Sequence, residues 1–265
     1  MDNAFNSPAQ VLEANMKAGE GKAKLPILKC ILLGIMAGAF IAFGGASSNA
    51  AVHNIANQGL SKTLAGCIFP VGLMMIVFVG GELFTGDCLM IAGVVDRRFN
   101  VFAMIKTLVL VFFSNMIGAV LIASLVYFSG LLDYTGGALG AFTIKVAYGK
   151  ATITPFKAVC SGILCNILVC MAVLMATAAK DIAGKVWAIF FPIAAFVIGG
   201  WEHCVANMFY IPAGIIAGTD STYVAKAQEL YGITAEQIAA DLNISGFVSN
   251  LIPVTIGNIL GGMVF

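Results

Sequence analysis

Twice in this chain a long apolar run is interrupted in mid-course by Gly-Gly and a nearby glutamate, and then turns apolar again. The first copy runs from Pro70 to Gly80, Gly81, Glu82, Leu83, Phe84, Thr85, Gly86 and Asp87. The second runs from Pro192 to Gly199, Gly200, Trp201, Glu202, His203, Cys204, Val205, Ala206 and Asn207. A carboxylate beside a glycine pair is costly in an unbroken helix that crosses a bilayer. Two such interruptions at matching places point to broken helices meeting at a transport site.

Of the residues, 60% are apolar and 10% charged, against roughly 25% charged in a soluble domain. The stretches 27–49, 64–95, 102–128, 153–178, 186–217 and 245–265 each reach the roughly 20 apolar residues that a bilayer crossing needs. The second and fifth are the interrupted ones. The chain therefore reads as one all-α transmembrane domain of six spans, 1–265, with spans 2 and 5 broken at mid-membrane. Within it, 1–25 is a cytoplasmic amphipathic N-terminal helix, 26–128 a first repeat and 150–265 a second. The polar N-terminus lacks the basic-then-apolar pattern of a cleaved leader.

The net charge of +1 does not point to nucleic acid; the placement of the charges is more telling. With the N-terminus inside, Lys17, Lys22, Lys24, Lys29, Arg97, Arg98, Lys106, Lys180 and Lys185 flank the cytoplasmic ends. Lys62, Lys145, Lys150, Lys157 and Lys226 fall to the outer loops. This asymmetry predicts both termini on the cytoplasmic side of a multi-pass protein of the cell's inner (cytoplasmic) membrane.

Other features repeat in the same order. Lys29 and Gly34 follow Pro26 as Lys157 and Gly162 follow Pro155, and Asn115-Met-Ile-Gly118 in span 3 matches Asn258-Ile-Leu-Gly261 in span 6. Three spans per repeat is an odd number, so the second half enters the membrane upside down: an inverted repeat. Gly34 with Gly38, and Gly257 with Gly261, suit close helix packing. Ser7, Pro8 and Gln10 predict a capped helix start, followed by an apolar stripe of Val11, Leu12 and Met16. A polar stretch at 220–243 reads as helical. The seven cysteines have no paired spacing and read as small buried side chains.

The runs Gly80-Gly-Glu-Leu-Phe-Thr-Gly86, Gly162-Ile-Leu-Cys-Asn-Ile-Leu-Val-Cys-Met-Ala172, Glu202-His-Cys-Val-Ala-Asn-Met-Phe209 and Leu251-Ile-Pro-Val-Thr-Ile-Gly-Asn258 resemble the signatures of the formate/nitrite transporter family. Within it the chain looks most like the clostridial hydrosulfide channel branch. The resemblance implies an aquaporin-like six-helix protomer, a homopentamer, and one anion pore per protomer. It implies that Thr85 and His203 face each other in a central chamber, with Asn166 hydrogen-bonded to the histidine and Lys150 drawing anions in from the outer side. Phe69 and Phe196 would form an outer constriction, and Leu73, Leu83 and Phe84 an inner one.

The residues themselves support part of this. An isolated imidazole away from water stays neutral because desolvation disfavours the charged form, and its reference pKa of about 6.5 lets it exchange a proton with a passing anion. Two histidines, with His53 in an outer loop, make no metal site, and no cofactor is called for. Glu82 and Glu202 read as caps for the backbone N–H groups freed at the breaks rather than as catalytic carboxylates, so the expectation is a pore and not an enzyme. The predicted cargo is a small monovalent anion, with hydrosulfide favoured and formate or nitrite next, with protons as a possible co-species and two mechanisms open. Either the anion crosses as its neutral acid after proton exchange with His203, or Thr85 and His203 replace its lost hydration. The alternative is an aquaporin-like channel for a small neutral solute, whose paired Asn-Pro-Ala loops this sequence lacks.

Overall fold

The computed structural model describes residues 5–264. Its helices, in chain order, are α1 (Pro8–Ala23), α2 (Ile27–Val52), α3 (Gln58–Ile68), α4 (Val71–Val79), α5 (Phe84–Asp87), α6 (Ile91–Val95), α7 (Val101–Phe128), α8 (Ala138–Ala151), α9 (Pro155–Ala178), α10 (Ile182–Gly199), α11 (Cys204–Ala217), α12 (Ser221–Tyr231), α13 (Ala235–Asp241) and α14 (Ile244–Met263). Six spans are long and apolar enough to cross a membrane: α2, α3 with α4, α7, α9, α10 and α14. Among the described residues there is no β-strand, only an isolated bridge between Phe5 and Ala179.

The helix ends follow local chemistry. Ser7 and Gln10 form the expected capping box at α1, and the side chains of Asn57, Asn100, Asp181 and Asn243 cap α3, α7, α10 and α14, each accepting an N–H that has no partner within its helix. The caps at Asn57 and Asp181 start spans 2 and 5 earlier than the hydropathy-based bounds of 64 and 186. In span 2 the extra turn carries Gln58, Ser61 and Lys62, polar residues that face a cavity. The expected 1–25 and 245–265 segments run onto residues outside the described range.

Two helix pairs pack in the same way. A Cβ on Gly118 would sit 1.9 Å from the Ile35 carbonyl oxygen, joining α7 to α2. A Cβ on Gly261 would sit 2.3 Å from the Ile163 carbonyl oxygen, joining α14 to α9. Only glycine permits backbones to come this close.

Several expectations need correction. Leu12 is exposed, so the packed face of α1 is Val11, Asn15, Gly19 and Lys22, spaced by roughly a helical turn. Asn15 Nδ2 donates to the Leu89 carbonyl at 3.2 Å. Lys62, Lys145, Lys150 and Lys157 lie on helices and not in loops. Residues 129–149, assigned to neither repeat, hold most of α8, whose buried face (Leu139, Gly140, Thr143, Ile144, Ala147) packs in the core. The 220–243 stretch is helical, as α12 and α13. Five of the cysteines are buried, but Cys67 is exposed.

Candidate functional site

Helix α4 stops at Val79, and α5 resumes at Phe84 after four non-helical residues. Helix α10 ends at Gly199, and α11 begins at Cys204. Gly80 and Gly200 adopt positive φ values of 103° and 68°, a backbone region that favours glycine.

One asparagine holds each interruption. Asn115 Oδ1 accepts from the Phe84 N–H at 3.0 Å, while its Nδ2 donates to the carbonyls of Gly34 and Glu82, both at 2.8 Å. Asn258 Oδ1 accepts from the Cys204 N–H at 2.8 Å, and its Nδ2 donates to the carbonyls of Gly162 at 2.8 Å and Glu202 at 3.0 Å. The two sets match bond for bond. The Glu202 N–H donates to Ser161 Oγ at 3.0 Å, and the Glu82 N–H to the Leu33 carbonyl at 3.2 Å.

Glu82 and Glu202 are therefore not the caps that their positions suggested. Their carboxylates meet lysines. Glu202 accepts from Lys150 Nζ at 2.8 Å and from Asn207 Nδ2 at 2.6 Å, and more distantly from Asn250 Nδ2 at 3.4 Å. Glu82 pairs with Lys22 of α1, which also reaches Asp87 at 2.8 Å. The physical reason is that a buried carboxylate needs a cation more than a backbone N–H needs a charged acceptor. A neutral amide serves the N–H equally well.

Between the two interruptions, Thr85 Oγ1 and His203 Nε2 lie 2.8 Å apart, with the residues 0% and 2% exposed. The Ala206 backbone N–H donates to His203 Nδ1 at 3.1 Å. That bond assigns the tautomer: Nδ1 is the bare nitrogen, so Nε2 carries the hydrogen and donates to Thr85. The Thr85 hydroxyl hydrogen is then left to point elsewhere.

The expected Asn166–His203 hydrogen bond is not made, because both ring nitrogens are already engaged. Asn166 Nδ2 instead donates to the carbonyls of Thr85 at 3.2 Å and Asn258 at 2.7 Å, tying α9 to both interruptions. Phe69 and Phe196 meet edge to face with centroids 5.4 Å apart, and Phe196 lies 5.9 Å from the His203 ring. Leu73, Leu83 and Phe84 are buried, and Phe84 packs edge to face on Phe112 at 5.0 Å.

A cavity of about 730 Å³ opens on one side of the pair, lined by Phe69, Phe196 and His203 at one end. Lys62, Lys145 and Lys150 also line it, with Glu202 as the only carboxylate among the described residues of its walls. His53, expected in a loop, caps the end of α2 and lines this cavity as well.

Sequence reasoning missed Lys22, Asn207, Asn250 and Lys62 as parts of the site, and read Asn115 and Asn258 only as marks of duplication. A polar amide in an apolar span, recurring at the same repeat position, was the signal available for the last two.

A sequence profile described as Formate/nitrite transporter matches residues 9–265. The chain belongs to the formate/nitrite transporter family. A probable formate transporter of Methanothermobacter thermautotrophicus is 40% identical, the match covering 100% of this chain and 96% of that protein. The formate channel FocA of Escherichia coli K12 is 34% identical, covering 98% and 92%. A solved pentameric formate channel with formate bound superposes with a TM-score of 0.79 at 33% identity, over 90% of this chain and 94% of the other. A second solved structure, an FNT family ion channel, gives a TM-score of 0.81 at 25% identity, over 97% and 96%. As a family member with six apolar spans, the chain is a multi-pass membrane protein and a channel of the small-anion class.

Proposed function

We propose that the chain is an inverted-repeat channel, with spans 2 and 5 broken at mid-membrane, that passes a small monovalent anion between two apolar constrictions over the Thr85–His203 pair. The observation that carries this reading is the hydrogen bond between Thr85 and His203, buried and contributed by opposite interruptions. The matched bonds of Asn115 and Asn258 support the upside-down duplication. In this reading both termini lie on the cytoplasmic side of the inner membrane, and the protein assembles as a homopentamer like the solved formate channel. It transports and does not turn over its cargo.

The anion enters the lysine-walled cavity, where fixed positive charge raises its local concentration. Lys150 contributes less of this than the resemblance implies, because Glu202 holds its ammonium. The Phe69–Phe196 pair then strips water from the anion, a barrier that a bare charge crosses poorly. Beyond it the Thr85 hydroxyl hydrogen is oriented outward because His203 Nε2–H donates to its oxygen, and it can replace part of the lost hydration. Protonating Nδ1 would set two donors against each other at Ala206. This favours hydration replacement over proton exchange. Leu73, Leu83 and Phe84 form the inner constriction.

Relatives described as a formate transporter and a formate channel support ranking formate ahead of nitrite and of hydrosulfide for this chain. The test is flux of the three anions through purified protein in vesicles at two pH values, with wild type and His203→Phe. The variant is expected to assemble but to lose pH-dependent flux. Unchanged flux and pH response would remove the histidine from the mechanism, and permeation of water or glycerol without anions would favour the neutral-solute alternative.

A further inference from the structure

The three lysines of the cavity wall are not equivalent. Lys150 is held by Glu202 at 2.8 Å. Lys145 has its ammonium over two rings, 4.7 Å from the centroid of Tyr231 and 5.5 Å from that of Phe142. Lys62 makes no ion pair or hydrogen bond with any described residue, although it faces the same cavity. Its ammonium lies over Gly200, where an added Cβ would come within 3.0 Å of Nζ. Gly200 is favoured by its left-handed backbone, and the flexible lysine end lies directly above it. The carbonyls at the end of α10 would be natural partners for a lysine placed there, yet Nζ makes no hydrogen bond to them. A flexible lysine at a helix end often just reaches toward water. Here that water fills an open cavity of mixed polar and apolar lining that also includes Phe69, Phe196 and His203.

We propose that Lys62 is the anion-docking group of this cavity, capturing a small monovalent anion beside Trp201 before it reaches the phenylalanine pair. This rests on reading the cavity as the anion entrance. The division of labour follows from the contacts. Lys150 keeps Glu202 neutralised, Lys145 is steered by its aromatic neighbours, and Lys62 supplies the mobile positive charge that no protein group satisfies. A fixed unit charge on such a wall concentrates anions locally and loses its effect as salt screens it.

Trp201 lines the cavity, and the chain has only one other tryptophan, Trp187. In a Trp187→Phe background, fluorescence quenching of Trp201 by iodide therefore reports the anion concentration beside Lys62 without requiring transport. Adding Lys62→Gln is expected to lower the iodide quenching slope roughly threefold at low ionic strength, the Boltzmann factor for one unit charge at about 7 Å in a water-like dielectric. The difference should shrink at high salt, quenching by neutral acrylamide should be unchanged, and Lys62→Arg should retain the parent slope. In vesicles, Lys62→Gln should raise the half-saturating formate concentration by a similar factor and leave the maximal rate intact. An iodide slope unaltered by Lys62→Gln, or one that falls equally for iodide and acrylamide, overturns the proposal. A protein that shows the iodide effect but passes no formate would keep the docking site and reject the channel reading instead.

Discussion

The two helix interruptions are the same device built with different contents. Each has a positive-φ glycine, a glutamate two residues on, and an asparagine from another helix that accepts one N–H and donates to two carbonyls. The lysine that neutralises the glutamate comes from α8 at one interruption and from α1 at the other. Five residues past the glutamate stands Asn207 at one interruption and Asp87 at the other, so one cluster sets a single carboxyl against its lysine and the other sets two. Leu83 occupies the place of His203, and Thr85 that of Val205. The hydrogen-bonding scaffold recurs and the polar chemistry does not: a single hydroxyl and a single imidazole, one from each side, meet between them.

If the scaffolds are equivalent, Asn115→Ala and Asn258→Ala should do equal damage. Each leaves one N–H and the glutamate carbonyl at the interruption without their partner, a loss of roughly 2–6 kcal/mol, while the second carbonyl, of Gly34 or Gly162, stays bonded inside its helix. Thermal unfolding of the purified variants should show both among the least stable substitutions in the protein. A mild effect for one and a severe effect for the other would end the claim that the two interruptions are held alike.

The lysines should separate the copies. Lys150 belongs to a helix packed in the core, so Lys150→Met strands the Glu202 carboxylate and should cost about 3 kcal/mol, with much of the loss recovered by adding Glu202→Gln. Lys22 sits on a surface helix that can lift away. Lys22→Met should therefore change global stability less and appear as faster hydrogen exchange across Pro8–Ala23. If both variants lowered the unfolding temperature equally and left α1 protected, α1 would be as integral to the fold as α8.

What the sequence made legible follows from what a linear pattern can carry. The six apolar spans and the α1 start are local signals of hydropathy and capping, although span 2 begins six residues before the hydropathy bound of 64. The encounter of Thr85 with His203 was available only through the resemblance, since 118 residues separate them. The partners of Glu82 and Glu202 were misread because a charge at a break suggests a local cap, while the lysines that claim these groups lie 60 and 52 residues away. Helix α8 was missed because its small buried residues, Gly140, Ala141 and Ala147, give little hydropathy signal, although Ala147 lets Gly214 of α11 approach closely and Gly140 seats Tyr223 of α12.

The same contrast predicts where acid acts first. Alongside Lys22, α1 is fastened by Glu13, whose two carboxylate oxygens accept from Arg98 at 2.8 and 2.5 Å. Those hydrogen bonds hold the Glu13 carboxyl below the 4.5 of a free glutamate. A lowered value in the folded state means that the contribution is complete above the unfolded value and is lost as pH falls through the folded one. Exchange protection of Pro8–Ala23 should therefore decline as the pH drops below about 4.5. Glu13→Gln should show the weaker protection already at neutral pH and flatten that decline. The effect is the smallest considered, because the pair is exposed to solvent, and Arg98 keeps Asp96 at 2.8 Å and Glu20 at 3.6 Å in either case. If the acid response persisted undiminished in Glu13→Gln, the titrating group would have to lie elsewhere. Asp87 beside Lys22 would then be the next to test, because it is the acid whose place at the second interruption is taken by Asn207.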